Sequence, residues 1–228
     1  MNNSPEQAVT LQPSLTATDL GQSDEDLARA DLYGLLAELF GAPPSDHFFN
    51  RLAASPKPND EEPDTPLTAA WRQLVRSAAE QSPAVIREEF NALFVAVGKP
   101  EVVANASFYL AGSLNQQPLV DIRHALADMG IERDPAASET EDHIAALCEV
   151  MRFLVAGELD GDGPPMDLLS TQRAFFSQHL APWVFDFLDA VGAHRQAQVY
   201  REVAEFARAF LEVEQQAFDI YAASQPQG

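Results

Sequence analysis

The stretch Val199-Tyr200-Arg201-Glu202-Val203-Ala204-Glu205-Phe206-Ala207-Arg208-Ala209-Phe210-Leu211-Glu212-Val213-Glu214-Gln215-Gln216-Ala217-Phe218-Asp219-Ile220 decides the fold class. Its apolar residues Val199, Val203, Phe206, Phe210, Val213, Ala217 and Ile220 recur at alternating steps of four and three. That spacing lines one side of a long α-helix, because side chains three and four apart share a helical face. Working back along the chain, the same period returns repeatedly. It runs through Leu32, Leu35, Leu36, Leu39 and Phe40, through Trp71, Leu74 and Val75, and through Ile86, Phe90, Leu93, Phe94 and Val97. It continues in Leu119, Ile122, Leu126 and Met129, and in Ile144, Leu147, Cys148, Met151, Leu154 and Val155. No useful run of period-two alternation occurs, so the expected fold is all-α, a single globular bundle of about eight to eleven helices.

Punctuation sets the boundaries. Ser23 is a candidate cap with Asp26 three residues on, Gly41-Ala42-Pro43-Pro44 is a stop, and Pro83 is a first-turn proline. Gly130 closes the helix that starts near Pro118, and Pro182 should kink or divide the one around His179. Residues 1–22 are polar and aperiodic and read as a disordered tail; 23–228 form the helical domain. Residues 55–66, rich in proline and acid, read as an exposed loop, and 131–139 as a linker and hinge. Residues 106–112 fit a loop or a short helical turn.

The chain has 228 residues, 14 Lys and Arg against 35 Asp and Glu, and a formal net charge of −21. A nucleic-acid binder needs clustered cations, so that class is excluded, and an anionic membrane surface is disfavoured. A basic peptide or protein would be attracted. The single cysteine, Cys148, allows no disulfide within one chain and suits a reducing compartment. No Lys or Arg precedes Arg29, and no apolar run reaches the length of a membrane span. The expected location is the cytoplasm, without membrane insertion.

Motifs of catalysis are missing. There is no phosphate-binding glycine loop, no nucleophile elbow and no Cys/His spacing for zinc, and none of the five histidines has Glu three residues before it. The loop from Asp160 lacks the acid that calcium wants at position twelve, where Thr171 stands. No metal, cofactor or catalytic residue is expected. His179, between Phe176 and Trp183, reads as a buried, hydrogen-bonded imidazole. The remaining polar cluster is Glu139-Thr140-Glu141-Asp142-His143, directly before an apolar helical run. It reads either as a helix cap or as a surface that receives donors. Adjacent helical residues do not face each other, which argues against an Asp142–His143 acid/base dyad.

Four segments carry a resemblance to a known family: Glu89-Phe90-Asn91-Ala92-Leu93-Phe94; Pro100 followed by Ser107-Phe108-Tyr109-Leu110; Glu139-Thr140-Glu141-Asp142-His143; and Phe176-x-x-His179-Leu180-x-x-Trp183 with Tyr200 and Phe210 downstream. In order and spacing they resemble the motifs of the TorD/DmsD (NarJ-like) chaperones that mature molybdenum-containing redox enzymes. The resemblance implies an all-helical, non-enzymatic protein. It would bind the twin-arginine signal peptide of a molybdoenzyme catalytic subunit, and in some members the mature part, until the cofactor is inserted. The peptide-contact positions that carry over are Phe90, Leu93, Phe94, Ser107, Tyr109, Asp142 and His143. Asp142 and Glu139 would meet the basic part of the peptide. Two positions depart from the family pattern: Thr140 stands for a proline, and Ala104-Asn105 for a Pro-Trp found in some members. The rival readings are a nucleotide- or metal-dependent hydrolase using the Asp142/His143 region, and an all-α scaffold subunit. A monomer and a dimer that swaps helices through 131–139 or 159–166 both fit the sequence.

Overall fold

Side-chain caps start most of the helices. Ser23 accepts the N–H of Asp26 at 3.1 Å, Ser45 that of Phe48 at 3.1 Å, and Ser82 that of Val85. Thr65 and Thr68 exchange bonds as a capping box, and Asp167 accepts from Ser170 at 3.2 Å. The structure, a computed structural model, describes residues 23–56, 64–95, 100–134, 138–157 and 167–225. In chain order the helices are α1 (Asp24–Gly41), α2 (Asp46–Ala53), α3 (Pro66–Glu80), α4 (Pro83–Phe94) and α5 (Ala106–Ala111). They continue as α6 (Gln117–Asp128), α7 (Ile144–Val155), α8 (Leu168–Phe175), a π-helical turn over Phe176–Leu180, α9 (Val184–Ala193) and α10 (Val199–Ser224). The expected all-α bundle is the observed one. Among the described residues the only β-type pairing is one isolated antiparallel bridge between Asn105 and His143.

The expected tail over 1–22 lies outside the described residues, as do 57–63 of the proline-rich loop, 135–137 of the linker and the 159–165 turn. α2 had no distinct signal in its period, since Phe48, Phe49 and Leu52 are too few to define a stripe. The helix of the acid/His cluster begins later than expected: His143 is its N-cap, and 139–142 form the turn before it.

α1 lies along α7, and α10 packs on α3 and α9. The α1–α7 approach is close enough that a methyl group added at Gly34 would come within 2.9 Å of Arg152 Cδ. The core holds Tyr33, Phe49, Phe176, Trp183, Phe187, Tyr200, Phe206 and Phe210, all fully buried, and Cys148 among them. Two polar anchors cross it. Arg29 gives Glu214 two hydrogen bonds of 2.8 Å, and Tyr33 adds a third at 3.0 Å, joining α1 to α10. The Glu89 carboxylate on α4 accepts the N–H groups of Gln198 (2.7 Å), Val199 (3.2 Å) and Tyr200 (2.7 Å), and so caps α10 from a distance. The apolar stripe that announces α10 leaves the core toward its end, where Val213 and Ile220 are exposed.

Candidate functional site

Three stretches of chain meet at one joint. The end of α4 is tied to the following segment by Val102 N–H, which donates to the Leu93 carbonyl at 3.0 Å. That segment then runs antiparallel to the residues before α7: Ile144 N–H donates to Ala104 O and Ala106 N–H to Asp142 O, both at 2.9 Å. The bridge sets Asn105 opposite His143.

Asp142 is the fastener. One carboxylate oxygen accepts the backbone N–H of Ser107 at 3.0 Å, in the first turn of α5. The other accepts the Thr140 hydroxyl at 2.5 Å and the Asn105 amide at 3.2 Å. Asn105 also donates to Thr140 at 3.0 Å. The two departures from the family motif therefore meet each other, and together they complete the shell around Asp142. Burial by itself would raise the Asp142 pKa, but hydrogen bonds from Ser107, Thr140 and Asn105 outweigh it and hold the carboxyl below its usual range. The Ser107 hydroxyl in turn accepts the N–H of Gln116 at 3.3 Å.

His143 is buried, and its Nδ1 accepts the N–H of Ala145 at 3.2 Å, which fixes the ring as a neutral cap of α7. Burial lowers its pKa, against the pull of Glu139 and Asp142. Glu139 is exposed in the preceding turn. Glu141 is held by Arg123 at 3.0 Å.

The predicted apolar positions divide by depth. Phe90 and Leu93 are buried, at 3% and 0% exposure, while Phe94 and Tyr109 are half-buried. Tyr109 stacks on Trp183 (centroids 5.5 Å apart) and lies 6.3 Å from Phe187, which lies 6.4 Å from Phe94. Phe94 packs on Phe90 at 5.1 Å. Phe187 thus links α4 to α5 under the surface. Val95 and Leu110, beside these rings, are 56% and 46% exposed. Neither was among the expected peptide contacts, because single apolar residues outside a stripe carry no periodic signal, and the capping role of Glu89 rests on a long-range pairing with α10 that no local pattern announces.

His179 departs from expectation. It is buried in the π-helical turn, but among the described residues its ring makes no hydrogen bond; one edge lines a pocket instead. Among the described residues no group of three or more His, Cys, Asp or Glu could hold a metal ion, and no helix is long and apolar enough to cross a membrane.

A profile of the nitrate reductase delta subunit family matches residues 60–189, more than half of the chain. The chain belongs to this family. The matched span takes in α3 through most of α9, and with them the joint, Asp142 and the His179 turn. Helices α1 and α10 complete the core from outside it. The chain is also similar to the chaperone protein TorD of Vibrio cholerae serotype O1, 26% identical over 134 residues, which cover 58% of this chain and 61% of that protein. TorD of Vibrio parahaemolyticus serotype O3:K6 is 24% identical over 130 residues, covering 55% and 60%. The matches span about three fifths of the length of these relatives.

Proposed function

We propose that this chain is a maturation chaperone of a molybdenum-containing redox enzyme. It holds the twin-arginine signal peptide of the catalytic subunit in the cytoplasm until the cofactor is inserted. Membership of the nitrate reductase delta subunit family and likeness to proteins named chaperones support the general role. The observation that carries the peptide reading is the joint itself. Segments around residues 93, 105 and 143 are pinned together, and the surface beside them offers Phe94, Val95, Tyr109 and Leu110. A twin-arginine signal peptide combines two guanidinium groups with an apolar stretch, and such a surface suits the apolar part.

The roles divide by accessibility. Phe94 and Tyr109 touch the peptide, and Phe90 and Leu93 back them from the core. Glu139 offers an exposed carboxylate. Ser107, Asp142 and His143 are positioning residues that set α5 and α7. The −21 charge speeds encounter with a basic peptide, in a salt-dependent way. A hydrolase reading is disfavoured by geometry: the Asp142 oxygens serve three donors and His143 Nδ1 serves Ala145, which leaves no acid/base pair.

Calorimetric titration of the protein with a synthetic peptide bearing Arg-Arg and an apolar segment tests this. Saturable one-to-one binding is expected, weakened by Tyr109→Ala and by Asp142→Ala plus His143→Ala. Absence of binding to the unaltered protein, or unchanged affinity in all of these variants, would overturn it.

A further inference from the structure

One pocket opens between α5, α6 and the π-helical turn. It has a volume of about 280 Å³, with apolar walls from Leu110, Pro118 and Ile122, and polar groups from Asp121, Gln178 and His179. It adjoins the joint directly, because Ala106, which also lines it, donates its N–H to the Asp142 carbonyl.

The π-helical turn creates its far wall. Pro182 has no N–H to return to the Gln178 carbonyl, so an ordinary helical ladder cannot continue through this stretch. The chain widens instead: Ala181 N–H donates to Phe176 O at 2.9 Å, a five-residue closure, and the Trp183 indole donates to His179 O at 2.7 Å. The widened turn carries Gln178 and His179 to the pocket. His179 is 8% exposed, and its ring has no hydrogen-bond partner among the described residues. Across the pocket stands Asp121 on α6, one of its oxygens accepting from Gln117 at 2.8 Å.

We infer that this pocket receives an arginine side chain of a bound peptide, its guanidinium meeting the Asp121 carboxylate, the Gln178 amide oxygen and a His179 ring nitrogen. The inference rests on the peptide-binding reading for the identity of the ligand. Three observations select this occupant. The pocket lining contains a carboxylate and no Lys or Arg. Acceptors stand on two sides, which suits a planar five-donor cation better than a point-like ammonium. The apolar walls match the methylene stem of arginine. The Asp142 oxygens are taken by internal donors, so this pocket supplies a second carboxylate in addition to the exposed Glu139.

The test is an NMR titration of the full chain with Nα-acetyl-arginine amide, following the His179 and His143 ring signals. Saturable movement of His179 is expected, with His143 still. Nα-acetyl-lysine amide should bind more weakly, and the neutral isostere Nα-acetyl-citrulline amide should leave His179 unmoved. Asp121→Asn, an exposed substitution that leaves the fold intact, should weaken arginine amide about tenfold. A His179 signal indifferent to arginine amide, or an Asp121→Asn protein as responsive as the original, overturns the inference. Calorimetry with the Arg-Arg peptide separates the two claims. Full peptide affinity in Asp121→Asn rejects the pocket and leaves the chaperone reading standing. Response to arginine amide without any peptide binding does the reverse.

Discussion

Asp142 and Ser107 stand 35 residues apart in the chain and are joined by a 3.0 Å hydrogen bond from the Ser107 backbone N–H to the Asp142 carboxylate. The carboxylate before α7 is therefore the cap of α5, a helix whose own N-cap residue, Asn105, makes no side-chain cap bond. The Asp142 charge acts first on the protein that carries it.

Asp142→Ala should lower stability by about 2–3 kcal/mol, since it leaves buried donors without an acceptor. Because hydrogen bonding depresses the folded-state pKa, this stabilisation is present above the unfolded carboxyl value and is lost as pH falls through the folded one. Urea unfolding followed from about pH 5 down to about pH 2 should show a flatter acid limb in Asp142→Asn than in the original protein.

His143 acts in the next pH window up, with the same direction. Its folded pKa lies below the usual 6.5, so the neutral ring is favoured by folding, and the benefit is lost as pH drops from 6.5 through the folded value. His179, also depressed by burial, adds a contribution of the same sign. His143→Asn keeps a neutral cap acceptor. It should match the original protein at pH 8 within about 0.5 kcal/mol and lose part of the decline below about pH 6.5. Stability curves of the two proteins across this range provide the check.

Glu89 holds three N–H groups at the start of α10. Glu89→Ala should cost about 2–3 kcal/mol and speed amide exchange at 198–200, with Glu89→Gln milder. Exchange at these amides equal to that of the original protein would remove Glu89 from this role.

Glu214 is buried at 2% exposure, and the Arg29 side chain that meets it is 16% exposed. Glu214→Ala leaves Arg29 to Asp26 and Gln172 and the buried Tyr33 hydroxyl without its acceptor, and should cost about 2–3 kcal/mol, whereas Arg29→Met with Glu214→Leu should recover part of the loss. Chemical denaturation of the single and double variants distinguishes a needed charge pair from a packing site.

The fold class was legible because helical periodicity survives in one dimension, and α10, α7 and α4 each carry it over three turns or more. α2 and α5 are too short to do so. The candidate site was legible as residue types in order, through Phe94, Tyr109, Asp142 and His143. Direction of action was not. Nothing local to Asp142 says that its acceptors face Ser107 and Asn105, or that Thr140 and Asn105 bond each other; those are long-range pairings across the bridge. The buried position of Phe90 against the half-exposed position of Phe94 likewise depends on Tyr200 and Phe187, which arrive from elsewhere in the chain. His179 reached a pocket edge only through the widened turn that Pro182 imposes.

The proposed docking site for a twin-arginine signal peptide is the place where α4, the 102–110 segment and the start of α7 meet. Hydrogen–deuterium exchange of the full chain, with and without a synthetic Arg-Arg signal peptide, tests it most directly. Docking there slows exchange in 91–95, 102–112 and 140–147 and leaves α3 and the second half of α10 unchanged. Protection confined to α3 or to the end of α10, with these three stretches unaffected, would contradict it.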